Sequence, residues 1–476
     1  MSALDYAPRL DERTAEDWRT LLFDRLEAQR ARVRFYEDYY DGTHPLQFAT
    51  GKYREAFGAL FSAFADNWCQ LIVDSAVERL KVVGFQIGGD SSDDAWEIWQ
   101  RNALDSESVI AHTEAGKCGR AYLLVDPNDG EPRITVEHPE QVIVAHDPAD
   151  RRKRLAALKK WLGDDGFQYV TLYLPDAVFK WESTEPVGLG EGSEIEWVER
   201  EGSGTNVYEV VPMIPLENKP GLLGKAHSDL EPAIQLQNAV NKLCSDLIVT
   251  SEYGAFPQRV ATGVEVIRDP ETGKPVREDE QTAAMSRLWK YEKPEVTVTS
   301  LPAADLSNFV VAIDMLIQHL AAQTRTPPHY LLAKMVNASG DALSTAEAGL
   351  VSKCKEKQLF FSDAWEEAIA LALGGDVGQA ECEAIWANPE RVSQTQLADA
   401  AVKKKSVDVP EEMLWLELGY TPEQIGEMKK QLASQQKAEL ERTNAQLAAA
   451  QAANPQPPQG QNPGQAGPPT TGGNDG

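Results

Sequence analysis

The feature that most constrains this chain is a long uninterrupted helical pattern in its C-terminal third. Ser344-Thr345-Ala346-Glu347 has the spacing of a capping box, in which a hydroxyl and a carboxylate bond free N–H groups at a helix start. No proline follows until well beyond Gly374-Gly375, so the pattern predicts a helix of ~30 residues, about 43 Å long. Helices in compact domains average about 11–12 residues. A helix this long is expected to lie along something large.

Two further helices are predicted upstream of the long one, and each has one apolar face. The first covers 228–251 and begins at a second capping box, Ser228-Asp229-Leu230-Glu231. The second covers 304–325 and ends at Thr326-Pro327-Pro328, because proline stops a helix. Residues 252–300 between them are rich in turn signals. The pattern therefore predicts two helices that bracket a small turn-rich segment.

The N-terminal half combines helical and β-rich patterns. Residues 14–40 and 56–80 show helical spacing, and the first of these helices is closed by Asp41-Gly42. From 119 to 211, short β-rich runs alternate with turn signals. Residues 184–206 are rich in Gly and Glu and are expected to form a flexible loop. These patterns together predict an α+β fold.

The C-terminal part is predicted to be helical and then disordered. Shorter helices follow Trp386, and the last one starts at Thr421-Pro422 and continues to about 453. Residues 454–476 hold six Pro and six Gly among 23, with no Leu, Ile, Val or aromatic residue. Such a composition cannot bury enough apolar surface to offset the entropy of ordering, so this tail is expected to be disordered.

Composition excludes several classes of protein. Acidic residues outnumber basic ones by 74 to 46, which gives a formal net charge of −28. Affinity for DNA phosphates comes chiefly from Lys and Arg, so a protein that grips DNA through a broadly basic surface is excluded, though one that DNA merely passes is not. No apolar stretch reaches the ~20 residues of a membrane span, and no secretory signal is recognisable. The five scattered cysteines favour neither a disulfide framework nor a zinc site.

Sequence patterns typical of catalysis are missing. The chain has no G-x-S-x-G elbow, no G-x-x-x-x-G-K-[ST] phosphate cradle, no G-x-G-x-x-G after a strand and no H-E-x-x-H. His138 and His146 lie on one strand–turn–strand unit and are interpreted as ordinary histidines. The segment around Asp126 and Asn128 imitates part of a calcium loop, but Gly130 stands at the fifth ligand position, which favours a plain hairpin. We therefore predict no catalytic residue, no cofactor and no metal site.

Two basic clusters stand out in the acidic chain. Arg151-Arg152-Lys153-Arg154, followed by Lys159 and Lys160, is interpreted as a solvated face whose cations pair with neighbouring acids. Lys403-Lys404-Lys405 lies at the end of a predicted helix, where cations favour the helix dipole. Neither cluster is a nucleic-acid motif. The residues alone thus predict a helix-rich, acidic, non-catalytic component of an assembly.

Several segments form a distinctive series along the chain: Tyr36 to Gly42, Asn67-Trp68 to Asp74, Arg79-Leu80, Gly84-Phe85, Trp99, Asn102, Leu104, Gly119 to Tyr122, Val125, Val211 to Pro215, Asn218, and Asn337 to Leu343. In their order and spacing these segments resemble the portal (connector) proteins of tailed bacteriophages, of the siphophage type. The resemblance spans almost the whole chain except 184–206 and the tail beyond about 450.

The resemblance implies a ring subunit built from named regions. These are a wing of helices and a β-rich part, a two-helix stem, a small clip, a tunnel loop, a helical crown and a disordered tail. Their expected bounds are 1–227 for the N-terminal part of the wing, 228–251 and 301–325 for the stem helices, 252–300 for the clip, 326–343 for the tunnel loop, 344–387 for the long wing helix and its return, 388–453 for the crown and 454–476 for the tail.

The resemblance also implies a function and partners. The ring, usually a homododecamer, stands at the vertex of the viral head and lets double-stranded DNA in during packaging and out during ejection. Its expected partners are other copies of itself, terminase, a head–tail adaptor and the major capsid protein, with a scaffolding protein left open and no membrane. It is expected in the virion after assembly in the host cytoplasm. His329, Lys334 and Asn337 on the tunnel loop are the candidates for lining the DNA channel.

Two alternatives remain open at this point. One is another virion component, a head–tail adaptor or a minor head protein, which would share the composition but has no need for two helices that bracket a clip. The other is an acidic cytosolic enzyme with a non-standard site. The missing catalytic patterns and the very long helix disfavour the enzyme. Negative-stain images of the purified chain discriminate between them: rings with a central hole would support the portal, whereas compact particles without a hole would favour an enzyme or an adaptor.

Overall fold

The computed structural model describes residues 12–45, 47, 51, 55, 66–187, 195–255, 259–262, 270–271, 297–300, 305–332, 340–374, 381–390, 394–407, 409–420 and 422–453. The chain divides into two compact units, Met1–Gln394 and Thr395–Gly476. The predicted tail, 454–476, lies outside the described residues.

The described strands from Arg120–Asp126 to Met213–Glu217 follow one another without an α-helix between them, and helices precede and follow this run, so the predicted α+β class is confirmed. We number the helices α1 Ala15–Asp41, α2 Cys69–Val77, α3 Asp93–Arg101, α4 Leu104–Cys118, α5 Ile234–Ala255, α6 Ser307–Thr324, α7 Pro328–Leu332, α8 Gly340–Ala372, α9 Gln394–Lys405, α10 Glu411–Glu417 and α11 Pro422–Ala453.

All strand pairs of the described residues are antiparallel. The strands are β1 Val82–Ile87, β2 Asp90–Ser91, β3 Arg120–Asp126, β4 Arg133–Glu137, β5 Val142–His146, β6 Arg154–Leu162, β7 Gln168–Tyr173, β8 Ala177–Ser183, β9 Trp197–Glu199, β10 Gly204–Thr205, β11 Met213–Glu217, β12 Arg259–Thr262, β13 Thr297–Ser300 and β14 Cys382–Trp386. One sheet has the order β14-β1-β2, a second has β10-β8-β7-β6-β5 with β9 beside β8, a third has β11-β3-β4, and β12 pairs with β13.

The largest core forms along the long helix α8, which confirms that this helix lies along a large body. Its 33 residues extend about 50 Å at 1.5 Å per residue. Leu350, Phe361 and Trp365 are fully buried on one face, where they join side chains of α3, α4 and the strands β1, β3 and β11. Trp365 packs edge-on against Trp99 with ring centroids 5.0 Å apart. The largest core of the described residues therefore forms around α8.

Both predicted capping boxes are wrong. Helix α8 begins at Gly340, so Glu347 lies inside the helix and forms a tertiary ion pair instead of capping it. Helix α5 begins at Ile234, six residues after Ser228. The Glu231 carboxylate instead accepts from Tyr36 Oη at 2.9 Å and pairs with His227 Nδ1 at 2.9 Å. In both cases the glutamate carboxylate binds a side chain far away in the sequence, Tyr36 or Arg79, instead of an N–H group at the helix start.

Other boundaries also differ from the predictions. The second helix, predicted over 56–80, is described only as Cys69–Val77, and residues 56–65 lie outside the described residues. The loop predicted over 326–343 contains the short helix α7. Residues 184–206, predicted as a flexible loop, supply the strands β9 and β10, which pair with β8.

The predicted hairpin at Asp126 and the pairing of the basic cluster are confirmed. Strands β3 and β4 pair from Tyr122–Glu137 to Asp126–Arg133 around a short 3₁₀ turn, Asn128–Gly130. Arg154 pairs with Glu367, and Lys160 pairs with Glu27, although Lys160 is buried rather than solvated.

The second unit consists of the helices α9, α10 and α11 in its described part. Lys403, Lys404 and Lys405 occupy the last turn of α9, as predicted. Across both units, no helix within the described ranges combines the length and apolar character needed to cross a bilayer.

Candidate functional site

The two helices α5 and α6 pack side by side and present one apolar face to each other. Val240 of α5 and Ile317 and Leu320 of α6 are buried in one cluster, which Ile72 of α2 and Leu331 of α7 complete. The outer face of α6 remains exposed at Val310, Val311 and Met315. One face of α6 is thus buried within its own chain, and another, apolar face is exposed to solvent.

A tight turn connects α6 to the short helix α7. Arg325 adopts the left-handed conformation with φ +56°, and its N–H donates to Ala321 O, which caps α6. Thr326-Pro327 then allows Pro328 to begin α7, since proline suits the first position of a helix. The described chain ends at Leu332 and resumes at Gly340 with α8. Helices α7 and α8 therefore flank residues 333–339, the core of the predicted tunnel loop.

One buried guanidinium holds both flanks of residues 333–339. Arg79, just after α2, donates from Nη2 to Tyr330 Oη of α7 at 2.7 Å and to Glu347 Oε2 of α8 at 3.1 Å. Its Nη1 donates to Pro389 O at 3.1 Å, and Tyr330 Oη donates to Glu347 Oε1 at 3.1 Å. We call Arg79, Tyr330 and Glu347 the Arg79 clamp. Burial alone would lower the pKa of Arg79, but its hydrogen bonds to Glu347 and Tyr330 raise the pKa. The guanidinium therefore stays positively charged.

Of the three predicted channel residues, the structure describes one. His329 lies in α7 with its Nε2 3.8 Å from Glu347 Oε1, and its ring stands edge-on to Tyr330 with centroids 4.8 Å apart. The structure thus places His329 next to the Arg79 clamp. Lys334 and Asn337 lie outside the described residues, so the structure does not bring the three together.

A second buried polar group joins the entry to α5 with the middle of α8. Asp229 is fully buried, and its Oδ2 lies 2.8 Å from Lys357 Nζ and 3.3 Å from Lys353 Nζ. Asn218 Nδ2 donates to Asp229 Oδ1 at 3.2 Å, and Asn218 Oδ1 accepts from Lys357 Nζ at 2.7 Å. We call Asp229, Lys353, Lys357 and Asn218 the Asp229 lock. It fixes the long helix to the segment that leads into α5.

The Asp229 lock holds more positive than negative charge. Burial by itself raises the pKa of Asp229, but Lys353, Lys357 and Lys219 together hold it well below its usual range. Burial lowers the pKa of Lys353 to about 8, despite the attraction of Asp229. Lys357 has the shorter contact with Asp229 and a second bond to Asn218, so Lys353 is the surplus cation.

The surplus cation predicts a pH-dependent stability difference for Lys353→Met. Between pH ~8 and the usual lysine value near ~10.4, the unfolded chain binds a proton that folded Lys353 has lost, so wild-type stability rises with pH. The variant lacks this rise. At pH 7 it is expected to be more stable than wild type by on the order of 1–3 kcal/mol, and the gap should close towards pH 10. Urea unfolding at a series of pH values measures this difference in unfolding free energy, with exposed Lys153→Met as control. A stability difference that widens as the pH rises would contradict the prediction.

One group of described residues has the composition of a metal site. Glu114, Cys118 and His138 place their ligand atoms within 4.8 Å of one another. However, Glu140 N–H donates to His138 Nδ1 at 3.1 Å, which leaves the ring proton on Nε2, 3.0 Å from Glu114 Oε2. Lys117 Nζ lies 2.8 Å from Glu114 Oε1 and fills the position of a cation. The donor set therefore fits a hydrogen-bonded ion cluster better than a metal.

Sequence reasoning missed the residues of both buried groups. Arg79 was singled out only as one of the residues that carry the family resemblance, and Glu347 and Asp229 were interpreted as parts of capping boxes. One signal was available for the lysines, because Lys353 and Lys357 fall on the same helical stripe as Leu350, Cys354 and Phe361. Lysines at apolar-face spacing indicate burial with a partner, although the spacing does not identify the partner.

Comparison with known proteins identifies the family. The family described as phage portal protein, SPP1 Gp6-like, matches residues 20–438. The chain is 30% identical over 388 residues to the portal protein of Mycobacterium phage D29, which covers 76% of this chain and 77% of the relative. It is 30% identical over 390 residues, with the same coverage, to the portal protein of Mycobacterium phage L5.

Similar chains also occur among solved structures. Two come from the necks of gene transfer agent (GTA) particles, one from an empty particle computed with C6 symmetry and one from a native particle computed with C12 symmetry. Their TM-scores are 0.41 and 0.43 at 11% and 12% identity, and each match covers 74% of this chain and 88% of the other.

The family match and the two mycobacteriophage relatives settle the assignment, and they confirm the resemblance found in the sequence. A portal protein is a structural component of the phage particle and not an enzyme. The chain belongs to the SPP1 Gp6-like family of phage portal proteins.

Proposed function

We propose that this portal protein assembles into a closed homododecameric ring and that double-stranded DNA passes through its centre in packaging and ejection. The observation that carries the proposal is the pair of faces on α6. One face is buried against α5, and the other exposes Val310, Val311 and Met315. Heterologous contacts that repeat between identical subunits close into a ring when the rotation permits it.

The regions of the ring subunit are assigned by the same proposal. Helices α5 and α6 form the stem, and residues 252–300 between them form the clip. The body around α8, with residues 1–227 and 344–387, forms the wing, residues 326–343 form the tunnel loop, residues 388–453 form the crown, and 454–476 form a disordered tail. The Arg79 clamp supports the assignment of the tunnel loop, because it joins α7 and α8, the helices on either side of residues 333–339.

The channel is proposed to let DNA pass without holding it. His329, Lys334 and Asn337 are the proposed lining residues at its narrow point. The net charge of −28 per chain supports weak repulsion along the lining, since each lysine–phosphate contact that released counterions would slow a sliding duplex. No base readout is expected from such a surface.

The proposed partners follow from the place of the ring. At the vertex of the head it would contact the major capsid protein, and its clip would bind terminase during packaging and the head–tail adaptor afterwards. Terminase would supply the ATP hydrolysis, because the sequence has no phosphate cradle. Assembly would take place in the host cytoplasm, with or without a scaffolding protein.

Negative-stain microscopy and DNA binding test the proposal together. The purified chain should form rings with a central hole, and the rings should bind duplex DNA weakly and without sequence preference. Titration of a fluorescent duplex at ~50 and ~200 mM salt should show little change in affinity, whereas 6–10 phosphate contacts would cost a factor of ~10³–10⁵. Particles without a central hole would refute the closed ring. Tight, steeply salt-dependent binding would refute the passive channel.

A further inference from the structure

A short turn before α5 exposes two leucines to an unusual degree. Leu222 and Leu223 are 84% and 99% exposed, and they form the tip of the turn 219–225, which we call the leucine tip. Single exposed apolar residues are ordinary on protein surfaces, but two adjacent ones at a projecting turn form a contiguous apolar knob. Such a knob is suited to insertion into a recess of another molecule.

The leucine tip is rigidly held. Gly221 N–H donates to Lys225 O at 2.8 Å, and Gly224 N–H donates to Gly221 O at 3.0 Å. Arg120 of β3 donates from Nη2 to Gly224 O at 2.8 Å and pairs with Glu217 at 2.8 Å, which fixes the turn to the sheet. A turn ordered in advance loses little entropy when it binds. The leucines are therefore presented ready for contact.

The same chain carries a groove that complements the leucine tip. The groove has a volume of about 470 Å³ and lies between the end of α2 and the first half of α4. Its apolar lining includes Leu80, Val82 and the half-exposed Val109. Its polar lining carries three carboxylates and one lysine, Asp74, Glu78, Asp105 and Lys81.

Charge favours the pairing of the leucine tip with this groove. Lys225 beside the leucines has a side chain 56% exposed, and its Nζ reaches Glu231 only at 4.0 Å. The groove has a net negative lining, so the lysine beside the apolar knob is opposite in charge to the groove.

The leucine tip does not enter the groove of its own chain. The base of the turn lies at the C-terminal end of α4, where Asn218 N–H donates to Gly119 O. The groove lies nearer the start of the same helix, where it is lined by Asp105, Ser108, Val109 and Thr113. The ten residues from Val109 to Gly119 correspond to about 15 Å of helix. The two surfaces are different patches, as a head-to-tail contact between identical subunits requires.

We infer that the leucine tip of one subunit inserts into the α2–α4 groove of the next copy of this chain and forms a repeating contact of the ring. The inference rests on the proposed ring function and adds to it one specific interface. It concerns residues away from α5, α6 and the proposed channel. It can therefore fail while the ring itself stands.

Disulfide trapping tests the contact directly. In a Cys244→Ser background, the double variant L223C/V109C should give a ladder of cross-linked species up to the full ring on oxidation. A co-assembled mixture of the single variants L223C and V109C should give dimers as its largest product, because each junction joins one tip to one groove. The pair L162C/V109C, with Leu162 exposed elsewhere, is the matched control and should give no ladder.

A second variant tests whether the contact contributes to assembly. L222S/L223S changes only exposed side chains, so its circular dichroism and melting should match wild type. The concentration at which rings are half assembled, measured by mass photometry, should rise at least ~tenfold because two leucines lose a buried environment. Exposed Leu162→Ser should leave it unchanged.

The outcomes separate the two proposals. Rings that form normally but give no ladder with L223C/V109C, or that assemble equally well with L222S/L223S, would overturn the inference and leave the ring function intact. Cross-links from Leu223 to a capsid or adaptor protein alone would also overturn it. A wild-type chain that never forms rings would refute both.

Discussion

Asp229→Asn is expected to destabilise the protein by about 3–5 kcal/mol, the cost of leaving a buried charge without its partner. The asparagine keeps the shape of the side chain but removes the carboxylate that, among the described residues, pairs with Lys353 and Lys357, both of which are almost fully buried. Urea unfolding of the full chain, followed by tryptophan fluorescence at one protein concentration, measures the loss. Exposed Asp90→Asn is the matched control and should change stability by less than ~0.5 kcal/mol.

A triple variant separates charge from packing in the Asp229 lock. Asp229→Leu with Lys353→Met and Lys357→Met removes all three charges at similar volume, so it should recover most of the stability that Asp229→Asn loses. If Asp229→Asn were as stable as wild type, the lysines would have to be neutral or solvated in the folded state. That result would contradict the arrangement of the lock.

The two capping boxes show why local sequence reasoning was correct about helices and wrong about their starts. A Ser or Thr followed three residues later by Glu satisfies two helix N–H groups only where the helix starts at that Ser or Thr, and local sequence does not show whether it starts there. In the folded chain, Glu347 finds Arg79, which is 268 residues away, and that charge-assisted bond is stronger than a local cap. The position of the helix was predictable because its apolar stripe is local, whereas the role of Glu347 was not.

The same reasoning explains what was predictable about the candidate site. The two amphipathic helices and the turn-rich segment between them follow from spacing and from proline, so their existence could be predicted. The Asp229 lock joins residues from three parts of the chain, and Lys357 and Asn218 are 139 residues apart. Sequence alone shows that a lysine falls on an apolar face. It does not show which carboxylate or amide meets that lysine.

Arg79→Leu is the second substitution with a large expected effect. It leaves Glu347 buried without its cation and removes three donated hydrogen bonds, which should cost about 3–5 kcal/mol in unfolding free energy. Arg79→Lys should recover only part of this, because a lysine lacks the planar fork that reaches Tyr330, Glu347 and Pro389 at once. Exposed Arg151→Leu is the matched control. If Arg79→Leu and Arg151→Leu lost the same unfolding free energy, the result would contradict the Arg79 clamp.

A paired variant distinguishes a positioning role of Arg79 from a merely structural one. Arg79→Met with Glu347→Met removes both charges, so global stability should return towards wild type. The flanks of residues 333–339 nevertheless lose their common partner, so trypsin cleavage after Lys334 under native conditions should accelerate by ~10–100-fold, equivalent to about 1.4–2.8 kcal/mol of local opening. Mass spectrometry of the fragments measures the rate at that bond against cleavage after exposed Lys153. If stability returns and the rate after Lys334 stays at the wild-type value, the guanidinium supports the core but does not position the segment proposed to line the channel.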